Sequence, residues 1–136
     1  MKKFFVLFIL FLCGCSNKVS LSCSYVDNSS IFGSKQVNDI IEFKDDRIIS
    51  FKRNIIFSLK NDLNKDIKSV YRIAKLEGKA LKKHIGGTYK IRRSTDVVSL
   101  FFNSKNFNNL KYIGIDINYS YDEVMSVYSE LGFSCK

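Results

Sequence analysis

"VNDIIEFKDDRIISFKRNIIFSL", residues 37–59, holds two stretches rich in Ile, Val and Phe, divided by a pair of aspartates. β-Branched and aromatic side chains suit a pleated, half-buried surface, so each stretch predicts a strand. Asp45 and Asp46 stand where a tight hairpin turn belongs, because aspartate tolerates the positive φ that such a turn demands. The return strand, from Arg47, is expected to place Ile49, Phe51, Ile55 and Phe57 on one face. An antiparallel hairpin is the seed of the fold.

Upstream, "NKVSLSCSYVDN" alternates Val19, Leu21, Cys23 and Tyr25 against polar residues, the period of a half-buried strand with Cys23 pointing inward. "SSIFGSKQ" collects Ser29, Ser30, Gly33 and Ser34 into a turn, which makes a three-stranded antiparallel meander.

From about Asp62 the period becomes helical. Leu63, Ile67, Val70, Ala74, Leu81 and Ile85 share one side at 3.6 residues per turn. Lys65, Lys68, Arg72, Lys75, Lys79 and Lys82 form a basic stripe on another side, and only Asp66 and Glu77 bring negative charge to the helix. Gly78 weakens its middle, and Gly86-Gly87 ends it.

"GGTYKIRR" and "DVVSLFFN", joined through Ser94-Thr95, predict a second hairpin. In the Asn-rich connection that follows, Tyr112, Ile113, Ile115 and Ile117 are expected to add a short strand. Ser120 and Glu123 have the spacing of a capping box, opening a short helix with Val124, Val127, Tyr128 and Leu131 on its apolar side and Gly132 at its end. The predicted class is α+β: an antiparallel sheet of about five to six strands, packed by one long central helix and a short C-terminal helix.

The N-terminus carries an address. Met1-Lys2-Lys3 precedes an uninterrupted run without polar residues from Phe4 to Cys13, too short for a membrane span of roughly 20 residues and of secretory signal length. Within it "LCGC", residues 12–15, resembles the lipobox of bacterial lipoproteins, with Cys13 as the departure from the usual small residue. That resemblance implies cleavage before Cys15, acylation of the Cys15 sulfur, a signal peptide over 1–14, a tether over 15–19 and one domain over 20–136. The competing reading is an ordinary signal peptide with incidental cysteines. Two acyl chains hold a membrane far more firmly than one. The implied location is the outer face of the cytoplasmic membrane, or the outer membrane in a Gram-negative host, since Ser16 rather than Asp follows the cysteine.

Loss of residues 1–14 leaves 122 of 136 residues, and removing Lys2 and Lys3 from the 22 basic residues leaves 20 against 13 acids, a balance of +7. That sign favours anionic partners: lipid headgroups, an anionic envelope polymer or an acidic protein, with nucleic acid a poor choice for an exported chain. The cations that would make such contact are Lys68, Arg72, Lys75, Lys79 and Lys82, and the competing reading of the same stripe is an ordinary solvated helix face in a lysine-rich chain. Of the four cysteines, Cys23 and Cys135 remain after cleavage and lipidation. Outside the cytoplasm such a pair reads as a disulfide, with two free thiols as the alternative.

Signals of catalysis are absent. His84 is the only histidine, so sites needing two imidazoles are excluded, and Gly-x-Ser-x-Gly does not occur. "DINYSYDE" spaces oxygen ligands from Asp116 but lacks the glycine and terminal glutamate of an EF-hand. Asp45, Asp46, Asp96, Asp116 and Asp122 all fit turns, strand ends or caps. No catalytic residue, metal or cofactor is expected.

"LSCSY", "IIEFKDDRIISF" and the closing "YSYDEVMSVYSELGFSCK" together resemble the YehR-like small bacterial lipoproteins over roughly residues 20–136. The resemblance implies an antiparallel sheet packed by helices and supplies no active site. The leading reading is thus a non-enzymatic, membrane-anchored extracytoplasmic binding domain. A lipid-anchored inhibitor of a wall-degrading enzyme is the alternative, and a domain of this charge would need an acidic target.

Overall fold

A computed structural model describes residues 16–60 and 66–136. The lipobox with Cys15, the signal segment, Leu63 and Lys65 lie outside the described residues. Among these residues six strands and two α-helices follow one another as β1 (Lys18–Asp27), β2 (Gly33–Lys44), β3 (Arg47–Leu59), α1 (Ile67–His84), β4 (Thr88–Arg93), β5 (Val97–Ser104), α2 (Tyr121–Glu130) and β6 (Ser134–Cys135). All pairings are antiparallel, in the order β4-β5-β3-β2-β1-β6. The fold is α+β, with one long helix and a short C-terminal one.

Asp45 and Asp46 form the two-residue turn of the β2–β3 hairpin, with φ of 50° and 61° and Lys44 paired to Arg47. Two consecutive positive φ values match the right-handed twist of the flanking strands. Beyond this turn the register shifts at Glu42/Phe43: Phe43 faces Ile48 while Glu42 faces Ser50. Ile49 is the extra residue of a β-bulge, so Ile48 takes the buried position expected of Ile49. Phe51 and Ile55 are fully buried, and Phe57 packs at the edge of the core.

The core lies on one face of the sheet. Leu21 and Cys23 from β1, Val37, Ile41 and Phe43 from β2, Phe51 and Ile55 from β3, and Leu100 and Phe102 from β5 meet Leu81 and Ile85 near the end of α1 and Val124 and Tyr128 of α2. Val70 and Ala74 of α1 seat on Leu59 and Val98. Gly78 is buried because it faces the Tyr89 ring: a Cβ there would stand 2.6 Å from that ring. The residue that weakens the helix in isolation lets it approach β4 closely.

The strand expected over 112–117 is instead a 3-10 helix, Leu110–Ile113, followed by a turn. Asn109 accepts a hydrogen bond from the Lys111 N–H at 2.9 Å and starts the turn, while Gly114, at φ 85°, ends it. Leu110 and Ile115 are buried, whereas Tyr112 and Ile117 are exposed. The sixth strand comes from Ser134–Cys135, which pairs with β1 so that Cys135 stands opposite Cys23. The two sulfurs are bonded at 2.03 Å.

α2 begins with the capping box: the Ser120 N–H donates to Glu123 at 2.7 Å and the Glu123 N–H to the Ser120 hydroxyl at 3.3 Å. Asp46, in the hairpin turn, accepts from the Tyr121 N–H at 2.9 Å and ties the turn to the same helix end. Val124 and Tyr128 face inward; Leu131, expected on the apolar side, is 53% exposed at the helix end. Among the described residues no helix is long and apolar enough to cross a membrane.

Candidate binding surfaces

The cations singled out from the sequence fall together. Lys68, Arg72, Lys75, Lys79 and Lys82 are all exposed on α1, and at 100° per residue they span an arc of about 80°. None forms an ion pair among the described residues; Glu77 of the same helix is engaged by Lys35 at 3.1 Å. Beside the basic stripe, Ile73 and Leu76 are 40% and 66% exposed. The solvent side of α1 thus carries two adjoining bands, one cationic and one apolar. His84 is exposed at the helix end, its ring stacked on Tyr112 with centroids 4.5 Å apart.

A second surface is not apparent in the sequence. Both helices pack on the same face of the sheet, and among the described residues nothing covers the opposite face. Its concavity, about 1030 Å³, spans from β4 to β6. The strand register places Ser134, Ser24, Asn38, Asn54, Phe101 and Lys90 in one row across all six strands. Lys52, Asn103 and Lys136 line the same hollow, and no acidic side chain does so among the described residues. Gln36 donates to the Asn38 side-chain oxygen at 3.0 Å. The Asn54 side-chain oxygen, by contrast, is enclosed and accepts no hydrogen bond among the described residues. An orphaned buried acceptor costs roughly 1–3 kcal/mol. Phe101 is 39% exposed, with the Arg92 guanidinium 5.5 Å from its ring centre.

Behind this face lies a buried charge cluster that sequence reasoning missed. Asp39, wholly buried, accepts from Arg53 Nε at 2.7 Å, from Arg53 Nη2 at 2.6 Å and from the Tyr128 hydroxyl at 2.6 Å. Burial opposes the Arg53 charge, but the hydrogen bonds and charge of Asp39 outweigh it and hold the guanidinium above its ordinary value. Burial, reinforced by the Asp39 charge, pushes the Tyr128 phenol far above its ordinary range, so it stays a donor. Every carboxylate oxygen is engaged. The cluster fastens α2 to the sheet.

Near the β2–β3 turn, Glu42 accepts from Ser50 and from Lys52, the latter at 3.2 Å, and these bonds lower its pKa below the ordinary carboxylate value. No cluster of three or more metal-ligating side chains occurs among the described residues.

No family model matches the chain, and no curated protein matches it. Its fold is similar to that of a protein from Streptococcus pneumoniae TIGR4 whose structure was determined by NMR, at 12% sequence identity and a TM-score of 0.52, over 90% of this chain and 87% of that one. At that identity the likeness is one of fold alone.

Proposed function

We propose that this chain is a non-enzymatic, lipid-anchored domain of the YehR-like kind, held on the extracytoplasmic side of a bacterial membrane through acylated Cys15 and applied to an anionic surface by α1. The observation that carries the surface reading is the exposed row Lys68, Arg72, Lys75, Lys79 and Lys82, unpaired among the described residues. Such a row keeps its charge available, and each cation near an anionic leaflet contributes about 1 kcal/mol. The adjoining Ile73 and Leu76 add what an interfacial helix needs besides charge: apolar side chains able to enter the headgroup boundary. The lipobox resemblance supports the anchor, and the Cys23–Cys135 bond suits an oxidising compartment.

The test is sedimentation of the full chain with vesicles of phosphatidylglycerol and phosphatidylcholine, compared with phosphatidylcholine alone, at low and high salt. Replacing Lys68, Arg72 and Lys79 by glutamine should weaken the salt-sensitive binding while leaving the melting temperature nearly unchanged. Unaltered binding of that variant at low salt would remove α1 from the account.

A further inference from the structure

We propose that the open face of the sheet is a second binding site, independent of α1, and that it takes an anionic glycan chain. Three observations converge on this ligand.

The first is the chemistry of the row. Serine hydroxyls and the carboxamides of Asn38 and Asn54 both donate and accept, which suits a ligand whose hydroxyl groups do the same. Five strand spacings make the row about 24 Å long, the reach of a chain rather than of a single small molecule.

The second is Asn54. The residue lines the hollow between Asn38 and Phe101, while its side-chain oxygen is turned away from solvent and lacks a donor among the described residues. Rotation of the carboxamide turns that oxygen into the hollow, where a ligand hydroxyl supplies the donor and removes the penalty of an unsatisfied acceptor.

The third is the pairing of a ring with cations. Phe101 offers a partly exposed aromatic surface to the apolar C–H face of a sugar ring, flanked by Arg92 over the ring and Lys90 directly across the strand pair. Lys136 stands at the other end of the hollow. Cations at the rim and no acidic side chain in the lining among the described residues match a glycan bearing carboxylate groups.

The experiment is titration calorimetry of the full chain in detergent micelles with oligogalacturonate, dextran, poly(glycerol phosphate) and polyphosphate. The expected result is binding of oligogalacturonate, weakened by salt, with dextran, poly(glycerol phosphate) and polyphosphate each at least about tenfold weaker. Asn54→Leu, Phe101→Ala and Lys90→Gln should each weaken oligogalacturonate binding about three- to tenfold, while Lys111→Gln, a charge loss away from this face, should not change it. Equal binding of polyphosphate would reduce the site to general electrostatics and overturn the glycan assignment. Stronger binding of poly(glycerol phosphate) would overturn it in favour of a phosphate polyol. Oligogalacturonate binding lost in the α1 triple variant but kept in all three sheet-face variants would move the site to α1, and no binding by any probe would refute it.

Discussion

The hydroxyl of Tyr128, on α2, donates to the carboxylate of Asp39, on β2, at 2.6 Å across 89 residues of sequence. Arg53 holds the same carboxylate with two nitrogens from the neighbouring strand. This is a buried ion pair whose third partner belongs to a helix, so the helix position is specified by a polar contact as well as by apolar packing. Removing one partner strands the others in a low dielectric. Tyr128→Phe should cost about 1.5–3 kcal/mol, the range for a hydrogen bond to a charged group. Arg53→Met should cost more, about 3–5 kcal/mol, because the Asp39 charge is left buried. Urea unfolding measures both, and a neutral Tyr128→Phe would mean that the hydroxyl contributes nothing to docking.

The disulfide joins directly opposed residues of β1 and β6 across a separation of 112 residues. Closing a loop of that length restricts the unfolded chain by about 4–5 kcal/mol in the entropy model. β6 is two residues long and follows α2 closely, so reduction is expected to loosen the sheet edge first. Unfolding with and without reductant should show the full loss. Hydrogen exchange should show it earliest at Ser22 and Lys136, whose backbones exchange two hydrogen bonds at 3.0 and 2.9 Å.

Gly78→Ala tests helix propensity against packing. In an exposed helix interior alanine is worth up to about 1 kcal/mol over glycine. Here the added methyl meets the Tyr89 ring at 2.6 Å, and overpacking costs about 1–3 kcal/mol. A net loss of stability is expected. A gain would mean that Tyr89 moves aside freely.

Two titrations should mark the ends of the stability profile. The Tyr128 phenol has a folded pKa raised above its ordinary value of 10.0. Its contribution is therefore complete below pH 10 and declines above it, as the unfolded phenol ionises and the folded one does not. Phenolate absorbance should show one tyrosine silent until alkaline unfolding. Glu42 runs the other way: its folded pKa lies below 4.5, so its contribution is present above that pH and disappears as pH falls through the folded value. Glu42→Gln should flatten the acid limb slightly, the pair being half exposed.

Much of the fold is legible in local patterns. Asp45-Asp46 marks its hairpin by turn chemistry, Ser120 and Glu123 mark a helix start by their spacing, and Cys23 faces inward by alternation. Features set by geometry between strands are not legible that way. Ile49 has the right residue type for the core, and only the bulge, a mismatch between two strands, sends Ile48 there instead. Residues 112–117 have strand-like composition, yet Asn109 and Gly114 impose a 3-10 turn from either side. The Asp39–Arg53 pair left a readable trace: Asp39 alternates in phase with Val37 and Ile41, Arg53 with Phe51 and Ile55, and the hairpin register sets the two charges opposite each other. The open face left none, because alternating serines and asparagines describe any solvent side. That no described residue covers it across six strands depends on both helices choosing the same face.

The proposed anchor and the disulfide can be read together from intact-mass spectra of the protein extracted from its native membrane, before and after reduction. A lipid-anchored, disulfide-closed domain gives a species beginning at Cys15, carrying added acyl mass and gaining two hydrogens on reduction of Cys23–Cys135. A species that keeps Met1, or one that begins at another residue without lipid, would overturn the proposed anchor.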